Sequence, residues 1–327
     1  MAEMDLQRAA VLLFDPVHVN LRTTRYALNE IGFKSIEACS AIEEFQRHLR
    51  ENNWDMIVAE CSSPKVDVFK LVRMIRRGEA TPNPYAVIAL TSWTRDGGHV
   101  RNAIESGADD VIVRPFSTQF AEERIRTMIR NRKAFVVTSD YVGPDRRSGE
   151  RAASAKDSLI VPNTLQAKAD GNEDQLREAY QGIREAKKQI EGERIRRLAM
   201  RVVVTAELQF DSKAGPAKVF DPADMMRTAR ELRDQLEQGG RYEAVQVAEA
   251  LIDHVRNFRN PEERNVKNFR LAKELAIGTF AAYADGETLE KAKDEIASTV
   301  KALRKRLSSA APGSGVRDLP ALKAASM

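Results

Sequence analysis

The fold of the amino-terminal half is decided by residues 54–64, which read WDMIVAECSSP. An apolar run of strand length ends there in a single carboxylate, Glu60, and a Ser-Ser-Pro turn follows at once. A short, continuous apolar run bounded by a turn is typical of a buried parallel strand. Because ligands of open α/β sheets bind beyond the carboxyl ends of the strands, we expect Glu60 to face a functional crevice.

Four further strand-like runs alternate with amphipathic segments around this stretch. The amphipathic segments end at breakers such as Gly32 and Gly107, since a glycine commonly follows the last helical turn. This alternation, with its short connections, predicts an α/β domain built on a doubly wound parallel sheet of five strands. The additional strands are predicted at 11–14, 34–39, 85–90 and 110–113.

Length and composition indicate two folded units in a soluble protein. The 327 residues exceed one typical domain, and 43% hydrophobic against 31% charged residues fits one ordinary core beside a charged helical portion. No apolar run approaches the roughly 18 residues of a membrane span, and the acidic amino terminus is unlike a signal peptide. Two cysteines, Cys39 and Cys61, favour a reducing cytoplasm over a disulfide framework. The net charge of +4 suits an anionic partner but is explained equally well by solubility.

The carboxyl-terminal half is predicted to be an all-α helical bundle. A long charged pattern covers 175–209, and shorter helices are predicted at 221–239, 242–258, 262–283 and 287–307. Helices joined by short loops pack as an antiparallel bundle. The apolar stripe of the long helix is narrow and nearly heptad, so it requires a partner helix from this chain or from a second copy.

Chemically active residue types stand at the strand ends. Asp15 follows the first strand, Glu60 the third and Thr91 the fourth, and residues 107–116, GADDVIVRPF, enclose the fifth. This pattern resembles the receiver domain of bacterial two-component response regulators. The resemblance implies a flavodoxin-like fold with strand order 2-1-3-4-5 and a part in phosphorelay signal transduction. It also implies an acid pair that holds a divalent cation, an aspartate that accepts the phosphoryl group, and an assisting hydroxyl and lysine.

Three positions depart from that family pattern. Pro16 replaces the second acid, so magnesium held by Asp15 and Glu60 would bind weakly or not at all. Glu60 keeps a carboxylate at the phosphoacceptor position but extends it by one methylene, and small misplacements of a reacting group are costly. Arg114, which precedes Pro115, replaces the lysine, so a planar guanidinium group stands in place of a compact ammonium group.

These departures predict an atypical receiver that is not cycled through aspartyl phosphate. We expect Glu60 to pair with Arg114 through a charge-assisted contact that holds the crevice in one state, in imitation of the phosphorylated one. Two alternatives stay open: slow phosphorylation of Glu60, and a pocket that is an unused relic of the fold. No cofactor is expected beyond weakly bound magnesium.

Residues 141–147, YVGPDRR, resemble a Gly-Pro-Asp-Arg-Arg element that follows receivers in some bacterial regulators. Two adjacent arginines after a Gly-Pro turn could fork onto a carboxylate. Three interpretations stay open: the segment docks onto a partner protein, it docks onto the receiver's own surface, or it is a solvated linker. The candidate docking residues are Tyr141, Gly143, Pro144, Asp145, Arg146 and Arg147.

Other chemical sites are not indicated by the sequence. It contains no Gly-rich phosphate loop, nucleophile elbow or catalytic triad pattern, so we do not expect an enzyme. His18, His48 and His99 lack metal-ligand spacing with one another or with the cysteines, so no zinc site is predicted. His254 lies on a predicted helix, as the histidine of a phosphotransfer bundle would, but its neighbours favour a structural histidine.

The predicted organisation has four parts. They are a receiver at 8–133, a linker at 134–172, a helical domain at 173–308 and a flexible tail at 309–327.

The favoured function is that of a cytoplasmic signalling protein that acts by contact with other signalling proteins and not with membranes. One alternative is a transcriptional regulator whose helical domain binds nucleic acid, although no helix-turn-helix signature is evident there. The other is a scaffold that forms a homodimer through the helix at 175–209.

Overall fold

The protein is seen in a computed structural model that describes residues 4–146, 158–209 and 220–284. The chain divides into two compact units, residues 1–189 and residues 190–327. The helix predicted at 287–307, the predicted tail and part of the predicted linker lie outside the described residues.

A five-stranded parallel sheet forms the centre of the first unit. Its strands are β1 (Ala10–Phe14), β2 (Ser35–Cys39), β3 (Met56–Glu60), β4 (Val87–Ser92) and β5 (Asp110–Val113). They lie in the order β2-β1-β3-β4-β5, with every neighbouring pair parallel. The predicted doubly wound, flavodoxin-like sheet is confirmed. The central strand β3 is buried along its whole length, as expected when both faces of a parallel sheet are covered.

Five helices accompany these strands. They are α1 (His18–Ile31), α2 (Ile42–Glu51), α3 (Val68–Arg76), α4 (Gly97–Glu105) and α5 (Thr118–Arg130). Helix α1 ends at Gly32, whose φ of 119° lies in the left-handed region that glycine adopts readily. Successive strand residues contribute to two different cores, because side chains alternate across a sheet: Leu12 and Ile57 lie in one core, Val11 and Met56 in the other.

Part of the predicted linker is folded into the first unit. Its elements are β6 (Phe135–Val137) and β7 (Val142–Pro144), which pair antiparallel, and α6 (Thr164–Ala169). Leu165 and Ala169 share a core with residues of β1, and Lys168 Nζ lies 2.7 Å from the buried carboxylate of Asp55. The extended linker predicted over 134–172 is therefore partly wrong. The sequence did not reveal the helix because its 6 residues are too few to give a sustained helical period.

The carboxyl-terminal half is helical throughout its described residues, as predicted. Its helices are α7 (Glu173–Glu207), α8 (Pro222–Gln238), α9 (Tyr242–Arg256) and α10 (Val266–Tyr283), with 3₁₀ turns at Asn257–Arg259 and Pro261–Glu263. The boundary between the two units falls inside α7, at 189/190, rather than near the predicted residue 173. None of the helices in the described ranges is both long and apolar enough to cross a membrane.

The second unit has a core of its own. Leu198 and Val202 of α7 are buried there together with Leu232 of α8, Leu251 of α9 and Phe269 of α10. Part of the apolar stripe on the long helix is therefore covered by helices of the same chain.

Candidate functional site

The predicted pocket residues lie at the carboxyl edge of the parallel sheet. Asp15 follows β1, Glu60 ends β3, Thr91 lies in β4 and Arg114 follows β5. Glu60 and Thr91 are register partners on adjacent strands, and all four side chains are buried. The peptide bond between Arg114 and Pro115 is cis. The parallel topology brings residues that are far apart in sequence to one edge.

Glu60 is held by the backbone of the loop that follows it. Its Oε1 accepts the N–H of Ser62 at 2.6 Å, and its Oε2 accepts the N–H of Ser63 at 3.2 Å. Hydrogen bonds to an ionised acceptor are strong and fix its orientation. The predicted pairing of Glu60 with Arg114 is not formed, because the longer side chain can fold back onto the N–H groups two and three residues ahead.

Arg114 pairs with Asp15 instead. Its Nη2 lies 3.3 Å from Asp15 Oδ2 and donates to Thr24 Oγ1 at 2.6 Å. The guanidinium also lies 5.1 Å from the ring centre of Phe116 and 5.7 Å from that of Trp93, at cation–π distances. Burial lowers the pKa of Arg114, and the Asp15 carboxylate opposes that shift. Since arginine stays protonated in proteins, the site holds a permanent cation.

Asp15, the predicted metal ligand, has both oxygens engaged within the chain. Oδ1 accepts the N–H of Val17 at 2.9 Å, and Oδ2 faces Arg114. Burial raises the pKa of Asp15, and the contacts with Val17 and Arg114 oppose that shift only in part. Magnesium requires several oxygen ligands in octahedral geometry. With a guanidinium beside Asp15 and with Pro16 in place of a second acid, the donor set does not fit this ion.

The loop after β3 is tied to the end of β4 through one hydroxyl. Ser62 Oγ lies 3.1 Å from Ser92 Oγ and accepts the N–H of Trp93 at 2.8 Å. The preceding residue, Cys61, has its Sγ 3.5 Å from His99 Nε2, and burial raises the pKa of its thiol to about 12. A thiol that keeps its proton is a poor nucleophile. Cys61 thus has the character of a small buried strand-end residue.

The candidate docking residues 141–146 contact the first unit itself. Arg146 Nη2 donates to Asp109 O at 2.8 Å, and within the segment Tyr141 Oη donates to Pro144 O at 2.8 Å. A Cβ on Gly143 would lie 2.8 Å from Gly107 Cα, which explains why a glycine is needed at this contact. Of the alternatives weighed for this segment, docking on the receiver's own surface is the one seen, and Arg147 lies outside the described residues.

A buried ion cluster beneath this segment was missed by sequence reasoning. Arg76, which is 1% exposed, contacts Asp109 Oδ2 at 2.7 Å, and Arg132 contacts Asp109 Oδ1 at 3.0 Å. Both guanidinium groups also lie about the ring of Phe135, at 5.1 and 5.2 Å from its centre.

The cluster shifts the titration of its members. Burial raises the pKa of Asp109, but Arg132 and Arg76 outweigh it and hold that pKa below the ordinary value. Burial lowers the pKa of Arg76 to about 10, against the opposing effect of Asp109. An arginine on an amphipathic helix carries no sequence signal of such burial.

His254 has a structural environment. Its Nε2 lies 2.8 Å from Asn268 O, so it joins α9 to α10, and its ring packs edge-on against Phe258 at 5.5 Å. A phosphotransfer histidine needs a free ring nitrogen at the surface, and this contact occupies Nε2.

Comparison with known proteins gives a family match within the first unit. Residues 11–130 match the family described as response regulator receiver domain. The "Uncharacterized transcriptional regulatory protein YclJ" of Bacillus subtilis (strain 168) is 32% identical over 124 residues, which cover 38% of this chain and 52% of that protein. The "Transcriptional regulatory protein AfsQ1" of Streptomyces coelicolor is 30% identical over 142 residues, 42% of this chain and 60% of that protein.

The similarity covers only part of each relative. The chain spans about half the length of these two relatives, 52% and 60%. Among solved structures, a response regulator from Thermotoga maritima covers 37% of this chain and 96% of its own, with 22% identity and a TM-score of 0.33.

Proposed function

Since residues 11–130 are a response regulator receiver domain, we propose that the chain acts in two-component signalling as an atypical receiver. It works through contacts with partner signalling proteins in the cytoplasm and does not pass through an aspartyl phosphate.

The observation that carries this proposal is the engagement of Glu60 by its own loop. A carboxylate that attacks a phosphoryl group must direct an oxygen at the phosphorus with good alignment. Both carboxylate oxygens of Glu60 accept hydrogen bonds from the backbone, one from Ser62 and one from Ser63. These two bonds hold the carboxylate along its own loop, so an attack would require it to reorient against them.

The charges around Glu60 support the same proposal. Phosphoryl transfer is catalysed mainly by cations placed on the transferring group. The cation of this site, Arg114, is committed to Asp15 and Thr24, and the donor set does not fit magnesium. Arg114 and Asp15 thus neutralise each other without a ligand, which favours a single fixed state over a switch.

The test is phosphorylation with acetyl phosphate and magnesium, followed by intact mass. We expect no phosphoryl adduct on the wild-type chain. A reconstituted variant, Pro16→Asp/Glu60→Asp/Arg114→Lys, is the positive control and should gain one phosphoryl group. A wild-type adduct that disappears in Glu60→Gln would refute the proposal.

A second candidate function is transcriptional regulation, favoured by the printed names of the two relatives. These names describe whole proteins of which this chain matches about half. The function of the second unit of this chain can therefore differ from that of the unmatched half of each relative. Binding of mixed-sequence DNA by the full chain, weakened steeply by added salt, would support this alternative. DNA binding that did not change with salt concentration would count against this alternative.

A further inference from the structure

Three side chains of metal-ligand type, none of them a predicted pocket residue, meet at the outer strand β2 of the sheet. The ligand atoms of Glu37, Cys39 and His48 all lie within 4.8 Å of one another. His48 Nε2 is 4.0 Å from Glu37 Oε1. This cluster, the β2–α2 cluster, plays no part in the proposed function.

The fold explains why these residues meet. Glu37 and Cys39 are alternate residues of β2, so they project from the same side of an outer strand. His48 lies in the last turn of α2, the helix that follows directly. Sequence spacing missed the cluster because two alternate strand residues and a histidine nine residues after the second of them do not resemble the common zinc patterns.

The three residues span the boundary between core and solvent. Cys39 is fully buried in the core that contains Phe14 and Phe45. Glu37 and His48 have side chains that are 48% and 20% exposed. An ion held here would take sulfur from the core side, with the carboxylate and the imidazole closing over it from the solvent side.

His48 is held in place by its neighbour Trp54. Trp54 Nε1 donates to the His48 carbonyl at 2.9 Å, and the two rings meet edge-on at 6.4 Å between centres. The hydrogen bond fixes the backbone in the last turn of α2, from which the His48 side chain reaches Glu37.

We propose that the β2–α2 cluster binds a divalent transition metal of the zinc class, with Glu37, Cys39 and His48 as ligands and water in a fourth position. Thiolate, imidazole and carboxylate are the ligand types that zinc takes in proteins, and three protein ligands with one open position form a stable tetrahedral site. The two anionic ligands balance the charge of a divalent cation. Hard ions such as magnesium and calcium prefer oxygen ligands alone and do not suit a buried sulfur.

Binding requires two local adjustments. Tetrahedral bonds of about 2.0–2.3 Å would bring the ligand atoms closer together than they lie here. Rotation of the Glu37 and His48 side chains, which both reach solvent, can supply this adjustment. Burial raises the pKa of the Cys39 thiol to about 12, so the free thiol holds its proton. Coordination breaks the S–H bond, forms the metal–sulfur bond and releases that proton to solvent.

The test uses the full chain, freed of metal with a chelator, under reducing conditions. Cobalt(II) is the probe because a cobalt–thiolate bond gives a near-ultraviolet charge-transfer absorption. We expect this absorption to saturate at one cobalt per chain and to disappear when zinc is added. Zinc should also raise the melting temperature, since a ligand that binds only the folded state stabilises it.

Four variants assign the ligands. Cys39→Ser should abolish the cobalt–thiolate absorption, whereas Cys61→Ser, the matched control at the other cysteine, should leave it unchanged. Glu37→Gln and His48→Gln should each weaken zinc affinity by at least about 10-fold, the loss expected even for a supporting contact.

The proposal is overturned by any of three results. These are no cobalt–thiolate absorption in the wild-type chain, the same absorption in Cys39→Ser, or its loss in Cys61→Ser. If circular dichroism shows that Cys39→Ser fails to fold, His48→Gln decides, because its side chain lies outside the apolar core. An unchanged zinc affinity in that variant overturns the proposal.

Discussion

Arg114 Nη2 lies 3.3 Å from Asp15 Oδ2, with side chains that are 7% and 0% exposed. A cation supplied by the chain itself thus faces the carboxylate that the family resemblance predicts as a metal ligand. Removal of one member of such a pair leaves a buried charge without compensation, which costs more than the pair contributes.

Arg114→Gln should therefore lower the free energy of unfolding by about 3–5 kcal/mol. Urea denaturation of the variant measures the loss. The double variant Asp15→Asn/Arg114→Gln removes both charges and should recover part of it. Additive losses from the two single substitutions would show that the residues do not interact.

Glu60→Ala should lower the free energy of unfolding by about 1.5–3 kcal/mol, because two backbone N–H groups lose a charged acceptor. Glu60→Gln keeps one acceptor oxygen without the charge and should fall between the alanine variant and the wild type. The same urea series measures both. Equal stability of the alanine variant and the wild type would mean that the contacts to Ser62 and Ser63 contribute nothing.

Gly143→Ala should destabilise the first unit by about 1–3 kcal/mol, the usual cost of overpacking. The new Cβ would lie 2.8 Å from Gly107 Cα, a backbone atom with little freedom to move. Hydrogen exchange should quicken in β6 and β7. Gly97→Ala is the control, because a Cβ there meets nothing within 4 Å; similar losses in both variants would remove the steric explanation.

Asp109→Asn should show a pH-dependent loss of stability. The wild-type pKa is held below the ordinary 3.8, so ionised Asp109 stabilises the fold above that pH and the contribution fades as pH falls through the folded pKa. The difference between wild type and variant should be about 3–5 kcal/mol near neutral pH and should shrink below pH 3.8. A difference that stays constant across this range would contradict the assignment.

Leu198→Ala should cost about 2–5 kcal/mol, as large-to-small core substitutions do, without changing the oligomeric state. Leu198 is 1% exposed within the core formed by α7 to α10. Light scattering gives the molar mass and thermal melting gives the stability. A change in molar mass would support the homodimer predicted from the apolar stripe of this helix.

The sheet could be predicted closely from the sequence because buried parallel strands are continuous apolar runs. Strand β3 is an example, since all five of its residues are buried and Glu60 marks its end. The polar strand ends were predicted to gather at one edge because parallel strands share their direction, and Asp15 and Arg114 do meet there.

Side-chain partners could not be predicted in the same way. The Glu60 carboxylate accepts the N–H groups of Ser62 and Ser63 rather than a hydrogen bond from Arg114. This choice depends on the side-chain torsion angles of Glu60, which leave no pattern in the sequence. Arg76 shows a second limit. Its burial depends on Asp109 and on the carbonyl oxygens of Gly107, Pro84 and Ala86, which lie between 8 and 33 residues away along the chain.

The contact between Lys168 and Asp55 has a consequence for modular exchange of this receiver. The family match ends at residue 130, yet Asp55, 1% exposed, finds its cation in α6, beside the buried Leu165. A chimaera that joined residues 1–133 to a foreign output domain would lack Lys168 and leave the buried Asp55 carboxylate without that cation. It would also expose the apolar surface against which Leu165 packs. The unit that can be transplanted intact therefore extends through α6, beyond the end of the family match at residue 130.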